Sequence, residues 1–191
     1  MKSLLLSVYL TAISTSASAQ GTVYFSNHVP GVDAPVYYSD RITQVSGSKF
    51  MAELLAGSTA NSLAPIASTG FLTGNAAGYF NGGIQNVPII ASQLAWVQVQ
   101  VWNTASGASF DQAVASGLPD SWWTSSVFSL HPGDPTIPTL PAALVGLGNS
   151  AVYLNTIPEP STFALAGLGA AIATFLIRRN WLGVVTRLGA K

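Results

Sequence analysis

The stretch from Ala95 to Asn103 reads AWVQVQVWN. Val97, Val99 and Val101 alternate with Gln98 and Gln100, and this period of two fits a half-buried β-strand. A strand with one apolar face must lay that face against another layer, so the segment commits its surroundings to a packed β architecture. The valines then face a core, while Trp96, Gln98, Gln100 and Trp102 share the opposite face. Further strand candidates are Thr22–Ser26, Pro35–Tyr38, Phe50–Ala56, Ser125–Leu130 and Ala151–Leu154. Between them lie Gly- and Pro-rich turn signals such as PGVDAP, TGNAAGYFNGG and HPGDPTIPTLP. Short strands at such intervals predict a mainly β fold, an antiparallel β-sandwich over residues 20–155. One short helix is expected at Phe110–Ser116, with Ser109 as its N-cap.

The N-terminal residues MKSLLLSVYLTAISTSASAQ are kept out of that fold. Lys2 supplies a positive start, Leu4 to Ile13 an apolar run, and Ala17-Ser18-Ala19 a small-x-small cleavage site. A spanning helix needs ~20 apolar residues, so this run is too short for a comfortable anchor. Residues 1–19 are therefore expected to be a signal peptide removed by signal peptidase between Ala19 and Gln20.

The other end poses a different problem. Thr162 to Ile177 carries no charge and is preceded by Pro158-Glu159-Pro160 and followed by Arg178-Arg179. As a helix these residues cover about 24 Å, at ~1.5 Å of rise each. Ser161 and the snorkelling arginine stems extend it toward the ~30 Å of a hydrocarbon core. A transmembrane helix is expected over about 161–177. Pro160 suits its first turn, where a missing N–H leaves nothing unpaired. Basic residues stay on the cytoplasmic side, so Arg178 and Arg179 act as a topology stop that leaves residues 20–160 outside.

These three parts, in this order and spacing, resemble the PEP-CTERM sorting signal of exported bacterial proteins. The resemblance covers residues 156–179 and implies that Pro158, Glu159 and Pro160 are the recognition element. It also implies an exosortase-like processing enzyme as partner, and cutting near that motif. On this reading the protein sits in the inner membrane in transit and then moves to the envelope or beyond. The chain continues past the arginines as NWLGVVTRLGAK, residues 180–191, a mixed basic and apolar tail. The segments GTVYFSN (residues 21–27), AELLAG (52–57) and VQVQVWN (97–103) are similar to those in the N-terminal domains of PEP-CTERM proteins of Verrucomicrobia-like bacteria. That resemblance implies no particular activity.

Composition narrows the chemistry. Only 7% of the 191 residues are charged and mean hydropathy is +0.42, consistent with segments that enter a membrane. The body holds six acids (Asp33, Asp40, Glu53, Asp111, Asp120, Asp134) against two bases (Arg41, Lys49), a balance of −4. Nucleic acid is therefore not an expected partner, because its binding rests on neutralising phosphates. There is no cysteine, so disulfides and thiolate chemistry are excluded. The two histidines, His28 and His131, lie in NHVPG and LHPGD and are expected to be surface loop residues. No G-x-S-x-G, H-E-x-x-H or D-x-D-x-D-G pattern accompanies them. No catalytic residue, metal site or cofactor is expected, and the chain is read as a non-enzyme.

Tryptophan is the residue type left to explain. Trp96 and Trp102 on the outward strand face, with Trp122-Trp123 in a loop, form a candidate sugar-stacking face. Two functions are thus expected to compete. One is a structural or adhesive role in the envelope or extracellular matrix, and the other is a carbohydrate-binding module for exopolysaccharide using Trp96 and Trp102.

Overall fold

In the computed structural model, which describes residues 20–91, 93–137 and 139–156, Ala95–Asn103 is an interior strand of the larger of two main sheets. In chain order the strands are β1 (Gln20–Ser26), β2 (His28–Val29), β3 (Val32–Asp33), β4 (Val36–Tyr37), β5 (Phe50–Gly57), β6 (Ala64–Gly70), β7 (Asn81–Ile90) and β8 (Ala95–Asn103). After helix α1 (Phe110–Ser116) come β9 (Trp122–Thr124), β10 (Phe128–Leu130), β11 (Ala142–Ala143) and β12 (Val152–Tyr153). The larger sheet runs β10-β8-β5-β6, with β9 also on β8, and the smaller runs β11-β1-β7. The fold is mainly β, as the alternation and turn signals predict.

Register explains how the two sheets share one core. Ala52, Leu54 and Ala56 of β5 stand opposite Val101, Val99 and Val97 of β8, and all six are buried. Val23 and Phe25 of β1 and Val87 and Ile89 of β7 join the same buried cluster. A series of aromatic rings links the layers. Phe25 lies 5.0 Å from Phe80, Phe80 is 5.6 Å from Phe71, and Phe71 is 6.4 Å from Phe50, measured between ring centroids. Tilted and edge-on pairs of this kind add attraction beyond the area they bury. Gly82 has no side chain because Phe25 occupies the space a Cβ would fill.

Asn27, just after β1, holds that aromatic series in place. Its Oδ1 accepts from the Phe80 N–H at 2.7 Å, and its Nδ2 donates to the carbonyls of Ala34 (2.8 Å) and Gly78 (3.0 Å). The side chain is 1% exposed, so water cannot replace these bonds. Asn155 does a similar job where the fold closes. Its Oδ1 accepts from the Ser121 and Trp122 N–H groups at 2.8 and 2.9 Å, and its Nδ2 donates to the Leu118 carbonyl at 2.8 Å. The chain divides into two units directly after Asn155.

Several elements differ from expectation. β6 and β7 were not foreseen, because APIASTG and NGGIQNVPII are rich in Gly, Pro, Ala and Asn, which are weak strand formers. Both are edge strands, β6 on β5 and β7 on β1, formed by pairing with neighbours whose inner faces are buried in the core. Pro88 sits where the β1–β7 register slips between Gln20↔Ile90 and Gly21↔Val87, so its missing N–H costs no ladder bond. The expected strand Ser125–Leu130 is only β10, and Trp122-Trp123, expected in a loop, belongs to β9. Ser125 makes the break, since its Oγ accepts the Val99 N–H at 3.0 Å in place of a strand carbonyl. The long ladders are antiparallel, but β11 on β1 and β12 on β4 are parallel pairs of two residues each. Helix α1 forms as expected. Ser109 Oγ accepts from the Gln112 N–H at 3.4 Å, Gln112 Oε1 accepts from the Ala108 N–H at 2.9 Å, and Gly117 ends it at φ 63°.

Gln20 opens β1. The expected signal peptide with Ala17 and Ala19, Pro158, Glu159 and Pro160, the span at about 161–177, Arg178, Arg179 and the tail 180–191 lie outside the described residues. Among the described residues no helix is long and apolar enough to cross a membrane.

Asn27→Ala leaves the buried Phe80 N–H and the Ala34 carbonyl without partners, while the Gly78 carbonyl keeps only the Val36 N–H. At ~1–3 kcal/mol for each such group, a loss of several kcal/mol is expected, read as a lower urea midpoint by tryptophan fluorescence. An unchanged midpoint would show that the aromatic series does not need this clamp.

Candidate functional site

The outward face of the larger sheet is organised in cross-strand rows. Thr124 of β9, Gln100 of β8, Glu53 of β5 and Ser68 of β6 pair in sequence, giving a polar row across four strands. The neighbouring row is Trp122, Trp102, Met51 and Gly70, and is largely apolar. On the other side of the polar row Gln98 faces Leu55, and Trp96 faces Gly57 beyond that. The period of two in β8 and β5 delivers these residues outward while the valines, alanines and Leu54 go inward.

This arrangement corrects part of the expected tryptophan face. Trp102 is 6% exposed and offers no open ring. Helix α1 returns against β8 and β9, with Ala113 fully buried, and the Phe110 ring meets Trp122 edge-on at 6.0 Å. Trp102 is closed beneath that end, and its indole N–H has no hydrogen-bond acceptor. Trp96 remains half-buried at the far end of the same face. The alternation of β8 places both tryptophans outward correctly, but only the packing of α1 separates their exposure.

Glu53 and Asp111 were not singled out by the sequence. Burial raises the Glu53 carboxyl above its ordinary value, and the Asp111 charge adds to the rise. The alternation within FMAELLAG contains the available signal, since Met51, Glu53 and Leu55 fall on one side of β5. Nothing local in the sequence brings Asp111, at the start of α1, within electrostatic reach of Glu53.

A second polar group lies on the hairpin of β2 and β3. His28 Nδ1 is 3.4 Å from Asp33 Oδ1, and the Tyr79 hydroxyl donates to that same oxygen at 2.8 Å. The His28 and Tyr79 rings lie 4.5 Å apart. A mostly apolar cavity of about 530 Å³ opens beside His28, lined by Tyr24, Val29, Pro30, Ile84 and Leu140. His28 is thus an exposed strand residue with a carboxylate partner, where the sequence suggested a lone loop histidine; His131 is exposed in a loop. Among the described residues, no group of three or more His, Asp or Glu side chains is placed to hold a metal ion. Asp33 lies in β3 and is held by Tyr79 and His28, whereas Asp40 serves a separate turn by accepting from the Ile42 and Thr43 N–H groups at 2.9 Å.

Residues 156–180 match the PEP-CTERM protein-sorting motif. The chain carries a PEP-CTERM sorting signal. The matched segment includes Pro158, Glu159, Pro160, Arg178 and Arg179, and it begins directly after Asn155. Such a signal marks an exported protein that passes through a membrane-anchored stage, and it fits a C-terminal membrane anchor. No curated protein and no solved structure matches the chain.

Two substitutions test the sheet face. Because the folded chain holds the Glu53 proton more tightly than the unfolded chain, the stability this group contributes is full below the ordinary glutamate value. It is lost as pH rises through the folded-state value. Glu53→Gln is therefore expected to melt higher than wild type at neutral pH, with the gap closing as pH falls toward 4.5. A constant gap across that range would remove the electrostatic account. Trp102→Phe keeps the buried ring and removes the orphan N–H, so its unfolding free energy should stay within about 1 kcal/mol of wild type. Trp102→Ala should lose ~3–5 kcal/mol in the same denaturation experiment.

Proposed function

We propose that this is an exported protein with a structural or adhesive role in the cell envelope or extracellular matrix, delivered there by its PEP-CTERM signal. The observation that carries the reading is the sorting motif beginning at residue 156, directly after the last clamp residue of a β-rich fold. In this reading residues 1–19 are a cleaved signal peptide. Residues 161–177 hold the protein in the inner membrane, and Arg178 and Arg179 keep its body outside. An exosortase-like enzyme then acts near Pro158-Glu159-Pro160. No enzymatic activity is assigned to the body.

A carbohydrate-binding module is the second reading, and the outward sheet face favours it. Open faces that combine hydroxyl, amide and carboxylate groups with a neighbouring indole suit polyhydroxyl ligands, since rings stack and planar polar groups fix orientation. The platform is the polar row with Trp96, with Trp102 as a closed flank.

The sorting role is tested in the native host by intact mass and membrane fractionation of wild type and Glu159→Ala. Wild type should leave the inner membrane trimmed near Pro158–Pro160, and the variant should stay full-length. If both stay in the membrane with Lys191 attached, the segment is an ordinary anchor.

A further inference from the structure

We propose that the end of the body from which the chain leaves at Asn155 is a membrane-contact face. It seats on the headgroup layer of a phospholipid bilayer through Ile42, Leu118 and Tyr153. This rests on the reading that residues 161–177 hold the protein in the inner membrane. Three segments of the chain are tied together at that end. The Asp120 N–H donates to the Asn155 carbonyl at 2.9 Å, and the Ser39 N–H donates to Asp120 Oδ1 at 2.7 Å. Asn155 Nδ2 donates to the Leu118 carbonyl at 2.8 Å. Each segment shows a large apolar side chain to solvent: Ile42 is 82% exposed, Leu118 50% and Tyr153 39%. The Arg41 guanidinium lies 5.2 Å from the centre of the Tyr153 ring.

The backbone at this end points to contact independently. Among the described residues, the non-glycine residues with positive φ are Arg41 at 62° and Asp120 at 53°. Aspartate tolerates that region, whereas for arginine it is an uncommon conformation, and such strain gathers where a fold presents a side chain for binding. Asp40 Oδ1 binds the Ile42 and Thr43 N–H groups, so Ile42 is carried by a fixed turn.

Where the chain goes next selects the occupant. Residues 156–160 separate Asn155 from the proposed span, and at ~3.3–3.6 Å each they reach at most about 18 Å. On so short a tether the bilayer is an effectively intramolecular partner, and a contact of a few side chains is populated. The side chains suit a headgroup layer. An isoleucine or leucine enters it, a tyrosine sits at its level, and an arginine lays its stem along the apolar part with its charge at the phosphates. Asp40 and Asp120 share this end with Arg41, so it has no positive excess. Apolar contact drives the seating, and a zwitterionic bilayer suffices.

The chain has no cysteine, so Ile42→Cys gives a single attachment point for an environment-sensitive fluorophore. Ile137→Cys is the reference, since Ile137 is 54% exposed in the loop after β10. Each labelled full chain is reconstituted into phosphatidylcholine vesicles, with and without phosphatidylglycerol, and its retention is read by flotation after an alkaline wash. The label at position 42 should emit to the blue of the label at position 137 and be quenched by lipid spin-labelled at the headgroup. Phosphatidylglycerol and added salt should leave that shift in place. Leu118→Ser should reduce it, and Leu118→Phe should keep it. Equal emission from the two positions in a retained chain would overturn the contact face while the membrane-span reading stands. A shift that appears only with phosphatidylglycerol would overturn apolar seating. A shift that grows with the protein-to-lipid ratio would give the face to a second copy and overturn the lipid assignment. Loss of the chain from the vesicles in the wash would overturn both the face and the span.

Discussion

The aromatic series from Phe25 through Phe80 and Phe71 to Phe50 is the contact on which both main sheets depend. It starts on β1 of the smaller sheet and ends on β5 of the larger one, so it sets how the two layers meet. Phe80 keeps its place because its backbone N–H is bound by Asn27, whose other bonds fix Ala34 and Gly78. A buried amide that satisfies three backbone groups is a specific device, since each of those groups is costly to leave unpaired. Leu54 and the valines of β8 supply more apolar area. They do not choose which loop closes over which sheet.

With the inner face committed to that core, the outer face of β5 and β8 is free to carry polar groups. Strand geometry then does the sorting, since each inward valine or alanine is followed by an outward residue. The outward set combines an acid, two glutamines, two hydroxyls and tryptophans, arranged in rows by register alone. Helix α1 divides this face unequally. It closes Trp102 and brings Asp111 toward Glu53, while Trp96 stays beyond its reach. The electrostatics of the face therefore arise from where a seven-residue helix lands.

The fold and the sorting signal meet in sequence at Asn155 and Thr156. Asn155 is bound through both ends of its side chain to the Leu118–Trp122 segment, and the motif starts at the next residue. A proposed cut near Pro158–Pro160 would leave every one of those bonds intact. Removal of the membrane segment and retention of the folded body are thus physically compatible.

The sequence by itself determined the elements whose cause is local. The alternation in AWVQVQVWN made β8 and sent its valines inward, the Ser109 cap and Gly117 bounded α1, and the Pro-Glu-Pro, apolar run and arginine pair spelled out the sorting motif. Each depends on residues a few positions apart, so spacing and side-chain chemistry are enough to read it. Tertiary structure alone decided the rest. β6 and β7 exist because β5 and β1, anchored in the core, pair with weak strand formers, and β9 and β10 are separate because Ser125 borrows the Val99 N–H. Trp102 is closed and Trp96 half-open because one helix covers one end of a sheet. Asn27, Asn155 and the Glu53–Asp111 pairing act between segments distant in the chain, and such contacts leave no periodic trace in a single sequence.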